Sequence, residues 1–415
     1  MTERTHPGSY LEGARRTSSD RMKRLWTRGA TAAAVVAASV AICAGTVSAA
    51  GSKPSGASRS KSPVVVGVVI DMTGPASSSG VAVKTGLNYF VKKTNSSGGV
   101  DGHPIKLEYC NTQSTATGGA TCAKSLSSVS SHIVLLAGAL PSTEGAVPQL
   151  SGVIGLAGLP VLFPKKGTDV FQVLAGEQVT VAPLITEAKR AHVKTMGVLY
   201  TSNASGTAQL HAIETGASNA GIKVVSEPMT TGATDVTTQL LQLKSSGAQV
   251  IVLASIGLAT LVSLTSYHTL GMKLPVVVGA EAATNAFLKA LPFPVPPHLY
   301  AISSIPVAKE GLTKKEISDW RTYGKGFKKF AHQPIDTETS SAFYLGCVAA
   351  DALKATHEGT TSAMAKYLST KSVNCNGATL RFNSPGLNVV SNQPFSLSQA
   401  GPAVSDGWGS VRTKL

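Results

Sequence analysis

Apolar and polar positions alternate along this chain in a way that predicts a layered α/β fold. From residue 64 onward, short apolar runs alternate with longer segments whose apolar positions recur at helical spacing. Runs that are apolar throughout are typical of parallel strands covered on both faces. Strands are predicted at Val64–Ile70, Ile105–Tyr109, Ile133–Ala137, Pro160–Leu162, Thr195–Tyr200, Ile222–Val225, Val250–Ala254, Pro275–Val278 and Leu299–Ser303. Helices are predicted near residues 80–95, 116–130, 143–152, 178–191, 205–220, 234–246, 257–271 and 313–331.

This succession of strands and helices occurs twice. The series that starts at Thr195 repeats the plan of the series that starts at Val64. Each half therefore predicts a doubly wound parallel sheet, with ligand contacts at the carboxyl ends of its strands. The expected domains are lobe 1, residues 63–183 plus about 306–385, and lobe 2, residues 184–305 plus about 386–415.

The first fifty residues are typical of an export signal. Four basic residues between positions 21 and 28 precede an Ala/Val-rich stretch from Ala30 to Ala44. Val47-Ser48-Ala49 then provides a small-residue cleavage pattern. We interpret residues 1–50 as a signal peptide and residues 51–62 as a flexible linker, and we expect the folded part in the cell envelope or outside the cell.

Three alternatives stay open for this N-terminal segment. Translation starting at Met22 would leave the basic stretch in place. The apolar stretch is also compatible with a retained membrane anchor, although it is short and rich in alanine. Lipidation at Cys43 is disfavoured, because Ile42 stands where the bacterial lipid-attachment motif has Gly, Ala or Ser.

Four cysteines follow the signal, and their even number in an exported chain predicts disulfides. Cys110 and Cys122 would close a short loop, and Cys347 with Cys375 is the natural second pair. The sequence alone allows three connectivities. A metal site is disfavoured, because there is no Cys-x-x-Cys pair and no histidine at ligand spacing near a cysteine.

Charge and composition narrow the class of protein further. The formal charge is +15, and seven Lys/Arg against three Asp/Glu in residues 1–50 leave +11 for the rest. These charges are dispersed and show no arginine stripe interleaved with aromatics, so we expect no nucleic-acid partner. No catalytic motif is present, neither Gly-x-Ser-x-Gly, His-Glu-x-x-His nor a Walker loop, so we expect no enzyme activity and no cofactor.

Several motifs, taken in order, carry a family resemblance. They are VVVGVVIDMTGP at residues 64–75 with Gly80, NSSGGVDGHPI at residues 95–105, Gly138–Val147 (GALPSTEGAV), Gly232-Ala233-Thr234-Asp235 and Val278-Gly279-Ala280-Glu281. This series resembles the leucine/isoleucine/valine-binding family of type I periplasmic binding proteins, the substrate-binding components of ABC importers. The resemblance implies two lobes joined by a multi-strand hinge, closing on a ligand without catalysis.

The resemblance also implies ligand contacts in three loops of the first lobe. These contacts are expected at Ser77, Ser78 and Ser79, then at Ser142 and Thr143, and finally at Lys165 and Thr168. The hydroxyls of Ser142 and Thr143 follow Pro141 at a predicted helix start, where free N–H groups favour an anion. Alternatives are a plain helix cap at Ser142 and a solvated lysine at position 165.

In the second lobe, Glu281 corresponds to a glutamate that pairs with the ammonium group of amino-acid ligands in this family. A capping or surface glutamate is the alternative. Ser79 and the segment Ser255-Ile256-Gly257 stand where relatives often have aromatic residues, which weakens a branched-chain amino acid assignment. Tyr344 is either a wall of the site or a core residue.

The predicted function is therefore an extracytoplasmic, monomeric solute-binding protein. It would capture an amino acid or a related amide or carboxylate and deliver it to the membrane subunits of an ABC permease. The alternative is a ligand-sensing lobe for a signalling partner in the envelope.

Overall fold

Two mainly parallel sheets with helices on their faces position the candidate site. This computed structural model describes residues 61–158, 169–304, 312–384, 387–390, 395–400 and 408–409. The predicted signal peptide, Cys43, the predicted strand Pro160–Leu162 and the predicted site residues Lys165 and Thr168 lie outside the described residues. The described residues belong to one contact unit, Ser58–Leu415.

The first sheet has five parallel strands in the order β2-β1-β3-β4-β5. Its strands are β1 (Val64–Ile70), β2 (Ile105–Asn111), β3 (Ile133–Leu136), β4 (Ile154–Ala157) and β5 (Val170–Gln172). The helices between them are α1 (Ser77–Ser96), α2 (Ala116–Val129) and α3 (Leu140–Ala146), which continues as a 3-10 turn at Val147–Gln149. The central strands β1, β3 and β4 are almost completely buried, as expected for strands covered on both faces.

The second sheet has seven strands in the order β7-β6-β8-β9-β10-β14-β15. Its strands are β6 (Thr195–Thr201), β7 (Lys223–Met229), β8 (Val250–Ala254), β9 (Val276–Val278), β10 (Leu299–Ser304), β14 (Phe395–Ala400) and β15 (Trp408–Gly409). The first five are parallel, and β14 and β15 add antiparallel pairs. Its helices are α4 (Glu177–Arg190), α5 (Ala204–Asn219), α6 (Thr237–Ser245), α7 (Leu258–Thr269) and α8 (Asn285–Ala290), with a 3-10 turn at Ala280–Ala282.

The repeated plan predicted from the sequence is confirmed. In each sheet the first five strands along the chain have the spatial order 2-1-3-4-5, so the strand order reverses once, between the first and third strands. Ligands of doubly wound folds bind outside the carboxyl ends of the strands at such a reversal. The exact lobe boundaries given above stay a prediction.

The C-terminal part of the chain covers the first sheet before returning to the second. It forms α9 (Lys314–Ala331), α10 (Thr337–Ala355), α11 (Thr361–Thr370) and an antiparallel sheet of β11 (Ser372–Cys375), β12 (Ala378–Ser384) and β13 (Leu387–Val390). Its apolar side chains share one core with β1 and α1. The chain therefore crosses between the sheets three times, before α4, before α9 and before β14.

Two disulfides tie these layers together, as the sequence predicts. Cys110–Cys122 joins β2 to α2, and Cys347–Cys375 joins α10 to β11. Tyr344 is 2% exposed and packs against Trp320 and Phe343, so it is a core residue. Within the ranges that the structure describes, no helix is both long and apolar enough to cross a bilayer.

The structure also differs from the predicted elements. β4 and β5 are not among the predicted strands, and the predicted helix at 143–152 is shorter and begins at Leu140. Both strands have four residues or fewer, which is too short for a clear periodicity. β7 extends through Pro228, which the sheet accommodates because β7 is an edge strand.

Candidate functional site

A cleft lies where the strand ends of both sheets face each other. The first sheet contributes Asp71 after β1 and Gly138 and Ala139 after β3, together with Ser78 and Ser79 on α1. The second sheet contributes Ser205, Ile256, Gly257 and Glu281, and α10 adds Glu338, Ser341 and Leu345. The cleft has about 730 Å³ of atom-free space, part of it open to solvent.

Asp71 organises the first-sheet wall of the cleft. It is 1% exposed, and its Oδ2 accepts a hydrogen bond from the Ala139 amide at 2.6 Å. Its Oδ1 accepts from the Ser142 hydroxyl at 2.7 Å and from the Thr112 hydroxyl. A buried carboxylate is stable when several donors point at it, so this network fixes the loop after β3 and the start of α3.

Helix α1 approaches the end of β1 very closely. A Cβ at Gly80 would lie 1.9 Å from the Asp71 carbonyl oxygen, so only glycine permits this packing. The close approach places the first turn of α1, with Ser78 and Ser79, on the cleft. Ser79 donates a hydrogen bond to Oε1 of Glu338 at 2.6 Å.

The first turn of α10, which carries Glu338, is held from the second-sheet side. Asp336 caps the helix by accepting from the Thr339 amide, and its Oδ2 accepts from the Asn285 amide at 3.1 Å. The Thr337 amide donates to the Ala283 carbonyl. Farther along, α10 packs in the core of the first sheet through Leu345 and Val348. Glu338 therefore lies where the two halves of the molecule meet.

Glu281 lies on the opposite wall, in the 3-10 turn after β9. Burial raises its pKa above the ordinary glutamate value. Behind it, Glu177 at the start of α4 is 5% exposed. Burial, together with the charge of Glu281, raises the pKa of Glu177 well above the usual range.

Glu338 is the third acidic group whose pKa is raised. Burial raises its pKa to about 8, and the charges of Glu281 and Asp336 add to this rise. The hydrogen bond from Ser79 acts in the opposite direction. Glu338 consequently keeps its proton near neutral pH, and a positive charge placed beside it would favour release of that proton.

The two halves touch directly at the rim of the cleft. Gly257, between β8 and α7, has φ +58°, and a Cβ there would lie 2.0 Å from the Pro75 carbonyl oxygen. Pro75 belongs to the loop between β1 and α1. The contact therefore depends on glycine twice, for its backbone conformation and for its missing side chain.

The structure places the predicted site residues in three groups. Ser78, Ser79 and Glu281 line the cleft together. Ser142 and Thr143 are fully buried behind the wall, where Thr143 donates to the Gly138 carbonyl, and Ser77 begins α1 without lining the cleft. Asp71 and Glu338 were missed by the sequence-based site prediction, although Asp71 stands out as an acid that ends an apolar run.

Comparison with known proteins agrees with this architecture. A profile of the periplasmic binding protein family matches residues 63–389. This chain belongs to that family. The family consists of ligand-binding proteins and is non-enzymatic, which agrees with the prediction of no enzyme activity.

Individual relatives of this periplasmic binding protein are distant. It is 26% identical over 241 residues to the Leu/Ile/Val-binding protein homolog 3 of Brucella melitensis. That match covers 55% of this chain and 64% of the relative, which is less than two thirds of the relative's length.

Solved structures similar to this periplasmic binding protein show the fold. One is a branched-chain amino acid transporter substrate binding protein from Streptococcus pneumoniae in complex with isoleucine, with TM-score 0.64 and 17% identity over 81% of this chain and 99% of that one. Another is a fatty acid ABC transporter substrate-binding protein from Thermomonospora curvata, with TM-score 0.66 and 15% identity over 84% and 90% of the two chains. The predicted type I fold with two mainly parallel sheets is thereby confirmed.

Proposed function

We propose that this protein is an exported solute-binding protein that closes on a small polar molecule and delivers it to an ABC importer. The observation that carries the proposal is the composition of the cleft wall, to which both sheets and α10 contribute side chains. A ligand that contacts both halves stabilises the closed form by its differential affinity for that form. Closure is then the signal that a membrane partner reads.

The connections between the two sheets support such a closing motion. Three crossings allow one half to rotate against the other without breaking a sheet. The Gly257–Pro75 contact lies at the edge of the cleft, where a closed arrangement is expected to make contacts. Both disulfides lie within the part of the chain around the first sheet, which agrees with an oxidising, extracytoplasmic location.

The names of the relatives support a binding role and leave the ligand class open. One structural relative is named for branched-chain amino acids and another for fatty acids. Amino acids and related amides or carboxylates, expected from the sequence, therefore form only one part of the ligand panel that has to be tested.

The proposal can be tested with the purified full chain. Small molecules that co-purify with it are identified by mass spectrometry, and a thermal-shift panel of amino acids, amides, amines and carboxylates then ranks the candidates. Small-angle scattering should show compaction with the best ligand. If no solute in a broad panel raised the melting temperature or compacted the protein, solute capture would be contradicted.

A matched pair of variants separates the cleft from the rest of the surface. Ile256→Trp fills the cleft, whereas Leu241→Trp adds the same ring at a residue on α6 that is 46% exposed. The first variant should abolish the ligand-induced shift and the second should retain it. Equal behaviour of the two variants would place binding elsewhere.

A further inference from the structure

The charge of the cleft is one-sided. Its described lining residues include the carboxylates of Asp71, Glu281 and Glu338 and contain no lysine, arginine or histidine. Asp71 is engaged by three protein donors, as described above. Glu281 and Glu338 remain as the acidic groups that a ligand can use, and they line the cleft from the 3-10 turn after β9 and from the first turn of α10.

Several donors that would hold a ligand carboxylate are occupied by the protein itself. Ser142 donates to Asp71, Thr143 to the Gly138 carbonyl and Ser79 to Glu338. The Ala139 amide at the start of α3 also donates to Asp71. The carboxylate of Asp71 thus fills the anion position that the sequence resemblance assigns to a ligand. A second carboxylate there would meet like charge.

A buried acidic group with one unpaired oxygen atom lies behind Glu281. Oε1 of Glu177 makes no hydrogen bond to the described residues, and the side chain is 5% exposed. A buried carboxylate is costly unless a proton or a positive charge is nearby. A cation at Glu281 would therefore stabilise the ionised form of these two neighbouring glutamates.

The remaining walls suit an aliphatic body of a ligand. Val83, Leu140, Ile256, Phe287 and Leu345 line the cleft between the acidic groups. The described residues contain no group of three or more His, Cys, Asp or Glu placed to hold a metal ion, so the arrangement favours an organic cation. A charged head and an alkyl chain together fit this mixture of carboxylates and apolar side chains.

We propose, resting on the solute-binding role above, that the cleft takes a small aliphatic amine without a carboxylate, whose ammonium group lies between Glu281 and Glu338. A monoamine places one ammonium group between the two carboxylates. A short diamine gives each carboxylate its own ammonium group. The ligand is therefore selected by positive charge at both walls instead of by the paired ammonium and carboxylate of an amino acid.

The test is isothermal titration calorimetry of the full chain with four small probes: putrescine, butylamine, leucine and butyrate. Putrescine or butylamine should bind roughly tenfold or more tightly than leucine, and butyrate should bind weakest. Glu281→Gln and Glu338→Gln should each weaken binding of the amine roughly tenfold or more. Glu214→Gln, which neutralises an exposed glutamate on α5, serves as the matched control and should leave the affinity unchanged.

Ser79→Ala distinguishes the two kinds of site without removing an acidic group. If the Ser79 hydroxyl only donates a hydrogen bond to Glu338, its removal frees that carboxylate and tightens amine binding. If Ser79 instead held a ligand carboxylate, the same variant would weaken binding. Melting curves of each variant confirm that it folds, and weaker amine binding by a folded Ser79→Ala protein contradicts the inference.

The outcomes also separate this inference from the proposed function. Tight binding and compaction with leucine or butyrate, but not with amines, overturns the amine inference and leaves solute capture intact. If neither these probes nor any solute of the broad panel binds, solute capture and the amine inference are both contradicted.

Discussion

The hydroxyl of Ser79 donates a hydrogen bond of 2.6 Å to Oε1 of Glu338, although the two residues are 259 positions apart in the chain. The bond joins the first turn of α1, which packs on the first sheet, to the first turn of α10, which is held by the second-sheet loops. A ligand that donates a hydrogen bond to Oε1 of Glu338 competes with the Ser79 hydroxyl for that oxygen. Ligand binding and the packing of α1 against α10 are therefore linked at this residue pair.

The free energy of unfolding is expected to fall as the pH rises from about 4.5 to about 8. The pKa of Glu338 is raised from 4.5 to about 8 by burial, with smaller contributions from the facing charges of Glu281 and Asp336. Between these values the folded protein holds a proton that the unfolded chain has released. The contribution of Glu338 is thus complete below about pH 4.5 and is lost as the pH rises through about 8.

Urea unfolding at several pH values between these limits checks this prediction. Glu338→Gln should flatten the pH dependence, because the amide does not titrate. A residual slope of the same sign is expected from Glu177, Glu281 and Asp336, whose pKa values burial also raises. The exposed variant Glu214→Gln should keep the original slope, and an unchanged slope in Glu338→Gln would contradict the assignment.

A methyl group at Gly257 should disfavour the closed arrangement. In Gly257→Ala the new Cβ meets the Pro75 carbonyl oxygen and the residue is strained at φ +58°, so affinity for the ligand should fall roughly tenfold or more. Gly271→Ala is a matched control, because Gly271 also has φ +58° but has no atom within 4 Å of the added Cβ. Both variants should lose stability, and only Gly257→Ala should lose ligand-induced compaction by small-angle scattering. Equal compaction in the two variants would refute a closing contact here.

The sequence predicted the central strands of both sheets well because those strands are buried on both faces. Runs such as Val64–Ile70 and Val250–Ala254 are apolar throughout, so neither needs tertiary context to be recognised. Glu281 and Ser79 were predicted as site residues from the family resemblance, and both line the cleft. β4 and β5 were not predicted, because strands of four and three residues are too short to show a clear pattern of apolar positions.

Glu338 could not be assigned in the same way, because it follows no strand and reaches the cleft only through the packing of α10. Its position depends on hydrogen bonds of Asp336 to Asn285, residues 51 apart, which no local pattern encodes. A partial signal existed in Asp336 and Thr339, whose spacing is typical of a helix cap. That cap places the helix start at Thr337 and Glu338 in its first turn.

Asp71→Ala should destabilise the protein by roughly 2–4 kcal/mol, because three donors lose a buried charged acceptor. The Ala139 amide and the hydroxyls of Ser142 and Thr112 would remain without a partner at the site. Asp319→Ala removes a carboxylate that is 45% exposed and pairs with Lys315 on α9, so it should cost less than about 1 kcal/mol. Urea titrations of the two variants give the comparison, and similar midpoints would show that the Asp71 network contributes little.

Removing either disulfide should lower the free energy of unfolding, and slightly more for the longer loop. Cys110–Cys122 spans 12 positions and Cys347–Cys375 spans 28, so the loop-entropy relation gives roughly 3 kcal/mol for the first and slightly more, roughly 3.5 kcal/mol, for the second. The paired variants Cys110→Ala with Cys122→Ala, and Cys347→Ala with Cys375→Ala, are compared by urea unfolding under oxidising conditions. Cys122 and Cys375 are each 1% exposed, so alanine at either position also leaves a small cavity that adds to the loss.

The second pair anchors α10, which carries Glu338, so its loss should also weaken ligand binding, whereas the first pair should affect stability alone. Weakened binding in the Cys110/Cys122 variant, with normal binding in the other, would show that the position of α10 does not depend on its disulfide.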